Sequence, residues 1–364
     1  MDIEVSRSDL TSTRLTTPPA RALEPGEVRL EIDSFGLTTN NITYAVFGDA
    51  LSYWSFFPAG PGWGRIPVWG FATVVESRTD GIAQGRRYFG YFPMSNELVV
   101  QPGRVGLGGF TDVSGHRAAM ASAYNAYVAV DADSKHRDDL EAIQMLLYPL
   151  FFTSWLIDDF LSDRDDFGAE QMVISSASSK TSMAAAFLAK ARGDVTVVGL
   201  TSAGNIDFTQ GLGVYDSVVL YDEIAVDGLQ GLPVTSSVYV DVAGNADVLF
   251  AVHERLGDKL DYSMTVGGTH WDHEAAEHGA LPGPTPTFFF APNQITKRNQ
   301  EWGADKLDAA LSAAWLGFAD WAANWLVLEE RRGPMAIEAT YLDLLAGKVD
   351  PLVGYCCTLK EEGP

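Results

Sequence analysis

The sequence predicts an α/β chain of two domains, one small and β-rich and the other a doubly wound parallel sheet, and three observations carry that prediction. Residues 27–34, EVRLEIDS, alternate apolar and polar positions, and strand-like runs follow at 66–77 and 97–101 between turns rich in Gly and Pro. Between residues 172 and 242, short apolar runs alternate with helical stretches, the pattern of βαβ units whose sheet is covered on both faces. Beyond residue 284 that alternation stops, so the chain is expected to return to its first domain. The expected division is 1–137 for the first part of the β-rich domain, 138–284 for the parallel-sheet domain and 285–364 for the return.

Within the first domain, DALSYWSFFPAGPGWGRIPVWG holds Tyr53, Trp54, Phe56, Phe57, Trp63 and Trp69. Aromatics bury large areas, so this loop reads first as packing and second as an apolar lining for a flat ligand. Residues 138–161 carry apolar side chains at helical spacing. MVISS at 172–176 predicts a strand, and SASSKTSMAAAFLAKARG predicts an Ala-rich helix that stops at Gly193. DVTVVGL, DSVVLY and SVYVDV predict further strands, with a helical stretch in FTQGLGV. After them come an aromatic strand, TFFFAP, a long amphipathic helix over 304–330 and the closing segment IEATYLDLLAGKVDPLVGY.

Composition narrows the function classes. The chain has 364 residues, with 25 Lys and Arg against 48 Asp and Glu, a formal charge of −23. That charge opposes a phosphate backbone or an anionic membrane surface, so neither nucleic acid nor membrane is an expected partner. The two cysteines, Cys356 and Cys357, are adjacent and so form neither a disulfide framework nor a four-thiolate metal site. A reducing, cytoplasmic setting is expected. The N-terminus lacks a basic start followed by an apolar run, and uninterrupted apolar runs fall short of the roughly 18 residues of a membrane span.

The order of these elements resembles the medium-chain dehydrogenase/reductase superfamily, which joins a GroES-like catalytic domain to a Rossmann-type nucleotide-binding domain. The resemblance rests on EVRLEIDSFGLTTNNITYAVFG, DVTVVGLTSAGNIDFTQGLGVYDSVVLYDEI and YLDLLAGKVDPLVG, and covers nearly the whole chain. Within the superfamily the chain is similar to a branch catalogued as a domain of unknown function, with LTTNNITYA, a YWSFFPA-like loop, VGGTHWD and FFFAP. Zinc-dependent members place Cys, His and Glu ligands early, whereas this chain has no Cys before residue 356 and no His before residue 116. The resemblance is therefore to the zinc-free quinone and enoyl reductases, and it implies hydride transfer to a small apolar acceptor, no bound metal and a homodimer.

It also implies a cofactor site. The turn expected to receive a pyrophosphate reads SSASSKTS, Ser175 to Ser182, without glycine. Ser175, Ser176, Ser178, Ser179 and Thr181 offer small hydroxyls and Lys180 a positive charge, while the competing reading is a helix start that caps itself. At the end of the second strand Thr201, Ser202 and Asn205 stand where NAD-preferring folds present a carboxylate, and Tyr221 falls where similar reductases hold a 2′-phosphate. NADPH is the expected cofactor. Gly244, Gly267 and Phe289 sit at strand ends that border the dinucleotide in the family, and each also has a plain packing reading.

For the chemistry, Tyr44 is the expected proton donor, Asn41 an orienting group, Thr43 the position of the family's tyrosine and Tyr53 a substitute for Tyr44. In GGTHWDHEAAEH, the spacing of His270, Asp272, His273, Glu274 and His278 matches no standard metal motif. There is no G-x-S-x-G elbow, and Ser114 with His116 lacks a third member. The alternative to a reductase is a descendant of the fold that no longer holds a dinucleotide and acts as a binding protein or lyase.

Overall fold

The computed structural model describes residues 1–118, 120–228, 230–266 and 281–360. The chain divides into two compact units, Met1–Pro149 with Ala322–Pro364, and Leu150–Trp321. The first unit is thus discontinuous, but the chain returns to it at Ala322 and not at residue 285. The physical reason is apolar packing: Trp315 and Phe318 lie against Phe151, with ring centroids 5.4 and 5.0 Å away, and hold the late helix in the second unit.

In chain order the strands of the first unit are β1 (Asp2–Ser6), β2 (Thr13–Thr16), β3 (Val28–Leu37), β4 (Trp63–Gly64), β5 (Pro67–Ser77), β6 (Arg87–Pro93), β7 (Glu97–Val100), β8 (Pro102–Gly106), β9 (Gly109–Asp112) and β10 (Ala126–Ala129). The second unit contributes β11 (Gln171–Ile174), β12 (Thr196–Thr201), β13 (Ser217–Leu220), β14 (Ser237–Asp241), β15 (Leu260–Thr265) and β16 (Thr287–Phe288). The return adds β17 (Val327–Arg332) and β18 (Val353–Thr358). Among the described residues the helices are α1 (Thr39–Val46), α2 (Glu141–Ser162), α3 (Lys180–Arg192), α4 (Ile206–Gly211), α5 (Ala246–Leu256), α6 (Ala291–Trp302), α7 (Ala304–Ala322) and α8 (Pro334–Leu345).

The first unit is built on a mixed sheet ordered β17-β18-β3-β5-β6-β10-β9-β8, with β7 also paired to β3, beside a three-stranded sheet β2-β1-β4. Alternation in β3 works as the sequence reading expects: Val28, Leu30 and Ile32 are buried while Arg29 and Glu31 between them are half-buried. Trp54 in the aromatic loop serves packing, because a Cβ at Gly48 or Gly64 would fall 2.1 or 2.3 Å from its ring. The helix expected over 304–330 ends at Ala322, and Val327–Arg332 instead forms β17, parallel to β18.

The second unit carries a six-stranded sheet in the order β13-β12-β11-β14-β15-β16, every neighbouring pair parallel. This is the strand order of a dinucleotide-binding Rossmann fold, whose ligand crevice opens where the order reverses, between β11 and β14. The strand expected from TFFFAP is only two residues long, because α6 begins at Ala291 with Pro292 in its first turn. α2 is long and apolar enough to cross a membrane by composition alone, yet 61% of its most apolar window is buried inside the protein.

Asp158 on α2 sits beside Arg192, which ends α3 and also holds Asp166. Burial outweighs this partner and pushes the Asp158 carboxyl up to about 6. With the folded value above the unfolded one, the folded state keeps a proton that the unfolded chain releases, so stability falls as pH rises through about 4 to 6. Asp158→Asn is expected to flatten urea-unfolding free energies between pH 4 and 7 by on the order of 2–3 kcal/mol. An unchanged pH slope would contradict this.

Candidate functional site

Two groups of residues carry chemistry, one in each unit. In the second unit, the turn after β11 is shaped by side chains in place of glycines. Ser175 is fully buried and its Oγ donates to Asp241 Oδ1 at 2.7 Å while accepting the Val242 and Ala243 N–H groups, both at 2.9 Å. It therefore ties β11 to β14 at the point where strand order reverses. Ser176 takes φ +51°, the left-handed region that glycine ordinarily supplies in such a turn, and donates its N–H to the Tyr221 hydroxyl at 2.9 Å. Tyr215 fixes the next residue by donating to the Ala177 carbonyl at 2.8 Å.

The α3 helix then starts at Lys180, with Ser179 Oγ accepting the Ser182 N–H. Ser176, Ser178, Lys180 and Thr181 are half-buried and share this turn. Near the end of β12, Ser202 is exposed and accepts from Asn205 Nδ2 at 3.2 Å. Gly244 follows β14 at φ +61° and donates its N–H to Asp241 Oδ1 at 3.2 Å. Asp241 is 2% exposed, and burial raises its carboxyl although Ser175, Tyr239 and the Gly244 N–H all donate to it.

Several expected ligands have structural work instead. Ser175 is committed to the strand tie, and Ser179 caps its own helix, the competing reading of that turn. Thr201 is 1% exposed within β12, so it is not available at the surface of the site. Phe289 is 8% exposed, extends the pairing to Thr265 and packs on Phe160 at 5.6 Å. Gly267, Gly268, His270, Asp272, His273, Glu274 and His278 lie outside the described residues. Asp241 was missed by the sequence reading, although a lone acid in the apolar strand SVYVDV was the available signal.

In the first unit, Thr38 and Asn41 form a capping box at the start of α1, with Asn41 Oδ1 accepting the Thr38 N–H at 2.7 Å. Asn41 also donates through Nδ2 to the Pro67 carbonyl at 2.9 Å, so its amide is used in fixing α1 to β5 and is not an orienting group for a ligand. Thr43 is exposed and Tyr44 points into the protein, 4% exposed. Tyr44 joins Tyr53, Phe56, Phe57, Trp69, Tyr91 and Tyr124 in one aromatic cluster. Its ring centroid lies 4.6 Å from Tyr53, 5.6 Å from Tyr91 and 6.4 Å from Tyr124, and its hydroxyl accepts from Trp69 Nε1 at 3.3 Å. Burial holds the phenols of Tyr44, Tyr53, Tyr91 and Tyr124 above their ordinary range, so they act as donors.

Beneath the cluster, Arg117 is 1% exposed and its guanidinium binds Asp112 and Tyr127 at 2.9 and 2.8 Å, Asn125 at 2.9 Å and the Tyr124 carbonyl. Tyr127 in turn donates to the Tyr91 carbonyl at 2.8 Å. One buried cation thus fixes the backbone under two of the four tyrosines. His116 bonds the Phe56 carbonyl at 3.2 Å, which gives it a structural place. Among the described residues, His136, Asp138 and Glu141 bring ligand atoms within 4.8 Å of one another, but Arg87 already pairs with Glu141 at 2.7 Å.

Comparison with known structures covers both units. The chain aligns with the crystal structure of CurA in complex with NADPH from Vibrio vulnificus at a TM-score of 0.61 and 13% identity, over 99% of each chain. A mutant form of enoyl thioester reductase from Candida tropicalis aligns at 0.57 and 10% identity over 98% of each chain. The quinone oxidoreductase from Coxiella burnetii aligns at 0.54 and 13% identity over 99% of each. No curated protein sequence matches. The chain shares the α/β fold of these structures, with one GroES-like unit and one Rossmann-type unit. A family model described as protein of unknown function (DUF2855) matches residues 35–350, and the chain belongs to that family.

Proposed function

We propose that the protein is a zinc-independent, NADPH-dependent reductase of an apolar activated alkene, quinone or enoyl acceptor. The observation that carries this reading is the serine turn at the strand-order reversal, which keeps a left-handed residue at Ser176 without any glycine. Its side chains fit a dinucleotide. Ser176, Ser178 and Thr181 offer small hydroxyls for a pyrophosphate, Lys180 offers a positive charge at the head of α3, and Ser202 and Asn205 offer neutral donors to a 2′-phosphate. Tyr221 accepts a hydrogen bond from the turn, which leaves its own proton to donate. Bound there, the cofactor supplies a hydride. The aromatic cluster of the first unit offers apolar surface lined with phenols, suited by itself to a flat neutral ligand.

The two free thiols, Cys356 and Cys357, fit the proposed cytoplasmic setting. Phe288 and Phe290 are 46% and 53% exposed at the β16 edge, which supports a homodimer on that edge as part of the proposal. The second reading, a fold descendant without a dinucleotide, draws on Asp241, whose buried carboxyl at the strand reversal is met by neutral donors.

NADPH oxidation in the presence of a panel of enones, quinones and enoyl thioesters tests the activity. Tyr221→Phe is expected to weaken NADPH binding roughly tenfold and NADH binding much less, since about 1.4 kcal/mol of hydrogen bonding to phosphate is lost. Equal losses for both cofactors would assign Tyr221 to the turn alone.

A further inference from the structure

β17 ends the mixed sheet of the first unit, paired on one side to β18 and, among the described residues, to no strand on the other. It is also the longest regular edge among them. β2, β7 and β13 have four residues, β4 and β16 have two, and β8 is interrupted by Arg104 at φ +50° and by a shift in register. The sequence of β17, VLEERR, contains neither Pro nor Gly, and Val327 and Leu328 are exposed, as is Met335 just beyond. An open edge of this kind is a template for another strand.

The backbone fixes which groups face outward. The Val327 N–H donates to the Leu352 carbonyl and the Gly333 N–H to the Thr358 carbonyl, so the odd-numbered residues turn their N–H and C=O groups toward β18. Leu328, Glu330 and Arg332 therefore turn theirs to the open side. Charge selects the occupant. A formal charge of −23 sets two copies of the chain against each other, but β17 ends in Glu329, Glu330, Arg331 and Arg332 and is locally neutral. A strongly basic or acidic partner finds no surface of one sign here, whereas a second copy of this strand finds its own complement.

In a two-fold antiparallel pair whose axis is perpendicular to the sheet, each copy keeps the same face up, so odd residues oppose odd and even oppose even. Centring the axis on Glu330 overlaps residues 328–332 and places Glu329 of each copy opposite Arg331 of the other. Leu328 then lies opposite the aliphatic stem of Arg332, and the two Glu330 carboxylates that meet at the axis each keep their own Arg332, 2.8 Å away. Centring on Glu329 removes both opposite-charge pairs, and centring on Arg331 runs the overlap into Gly333 and Pro334.

We propose that β17 pairs with β17 of a second copy of this chain, antiparallel about a two-fold axis at Glu330, so that the mixed sheet continues from one copy into the other. Leu328, Glu330 and Arg332 contribute roughly six main-chain hydrogen bonds, and the two Glu329–Arg331 pairs set the register. This interface is independent of the cofactor reading and separate from the β16 edge.

Sedimentation velocity of the full-length protein tests it. Glu329→Arg sets Arg against Arg331, and Arg331→Glu sets Glu against Glu329. Each variant alone is expected to sediment as a smaller species than wild type at the same micromolar concentration, with association at least roughly tenfold weaker. Mixed in equal amounts, they restore both opposite-charge pairs between unlike chains, and the mixture is expected to recover the wild-type size. The ion pair within each strand, Arg331 with Glu329, is not repaired by mixing, so a purely internal role predicts no recovery. Glu330→Pro removes an outward N–H that β18 does not use, and should abolish association with a thermal midpoint near that of wild type. Association at the β16 edge is common to all these proteins and cancels in the comparison. A wild type no larger than the single variants, variants that stay apart when mixed, or undiminished association of Glu330→Pro overturns the proposal.

Discussion

Arg117→Met is expected to lower the stability of the first unit by about 3–5 kcal/mol, the largest single effect in the protein. Its partner Asp112 is 2% exposed and would become a buried carboxylate without a cation, while Asn125, Tyr127 and the Tyr124 carbonyl would each lose a donor. Arg117 also lies 5.5 and 5.2 Å from the rings of Phe56 and Phe57, so the methionine has an apolar neighbourhood but cannot replace the fork of donors. Arg117→Lys keeps the charge and should recover only part of the loss. Guanidinium unfolding of the three proteins measures it, and a loss below about 1 kcal/mol would mean that the network relaxes around the gap.

The second large effect is at Ser175. Ser175→Ala removes the donor to Asp241 and the acceptor of two N–H groups at once, at a position with no exposure. A stability loss of about 2–3 kcal/mol is expected, together with a loss of NADPH affinity of at least roughly tenfold, because the serine turn would no longer be tied to β14. Ser178→Ala, a few residues along on the half-buried side of the same turn, should weaken binding with little change in stability. If the two variants behave alike, Ser175 is not the tie that the hydrogen bonds describe.

The contrast between these two serines shows how far the sequence could be read. Both appear in SSASSKTS as equivalent small hydroxyls, and only the fold turns one inward against Asp241 and leaves the other half-buried. The parallel sheet was legible because buried strands such as MVIS and TVVGL stand out on either side of an Ala-rich helix and its Gly193 stop, which does adopt φ +78°. The aromatic loop was legible as apolar surface, but not the division of labour inside it. Trp54 packs between two glycines, whereas Tyr53 joins phenols contributed by residues 91 and 124 from distant segments. Long-range convergence of that kind leaves no local periodicity to detect. Arg117 in SGHR is the plainest case, since nothing nearby in the sequence marks it as buried. The return to the first unit was misplaced because α7 reads as an ordinary amphipathic helix, and its partners Phe151 and Phe187 lie far upstream.

The most direct test of the central claim is equilibrium binding of NADPH and of NADH to the purified protein, followed by quenching of tryptophan fluorescence or by the nicotinamide's own emission. The account predicts micromolar NADPH binding, about −8 kcal/mol, with NADH at least roughly tenfold weaker. Absence of binding by either dinucleotide would contradict it and would leave the serine turn as a self-capped helix start in a protein whose ligand is held by the aromatic cluster alone.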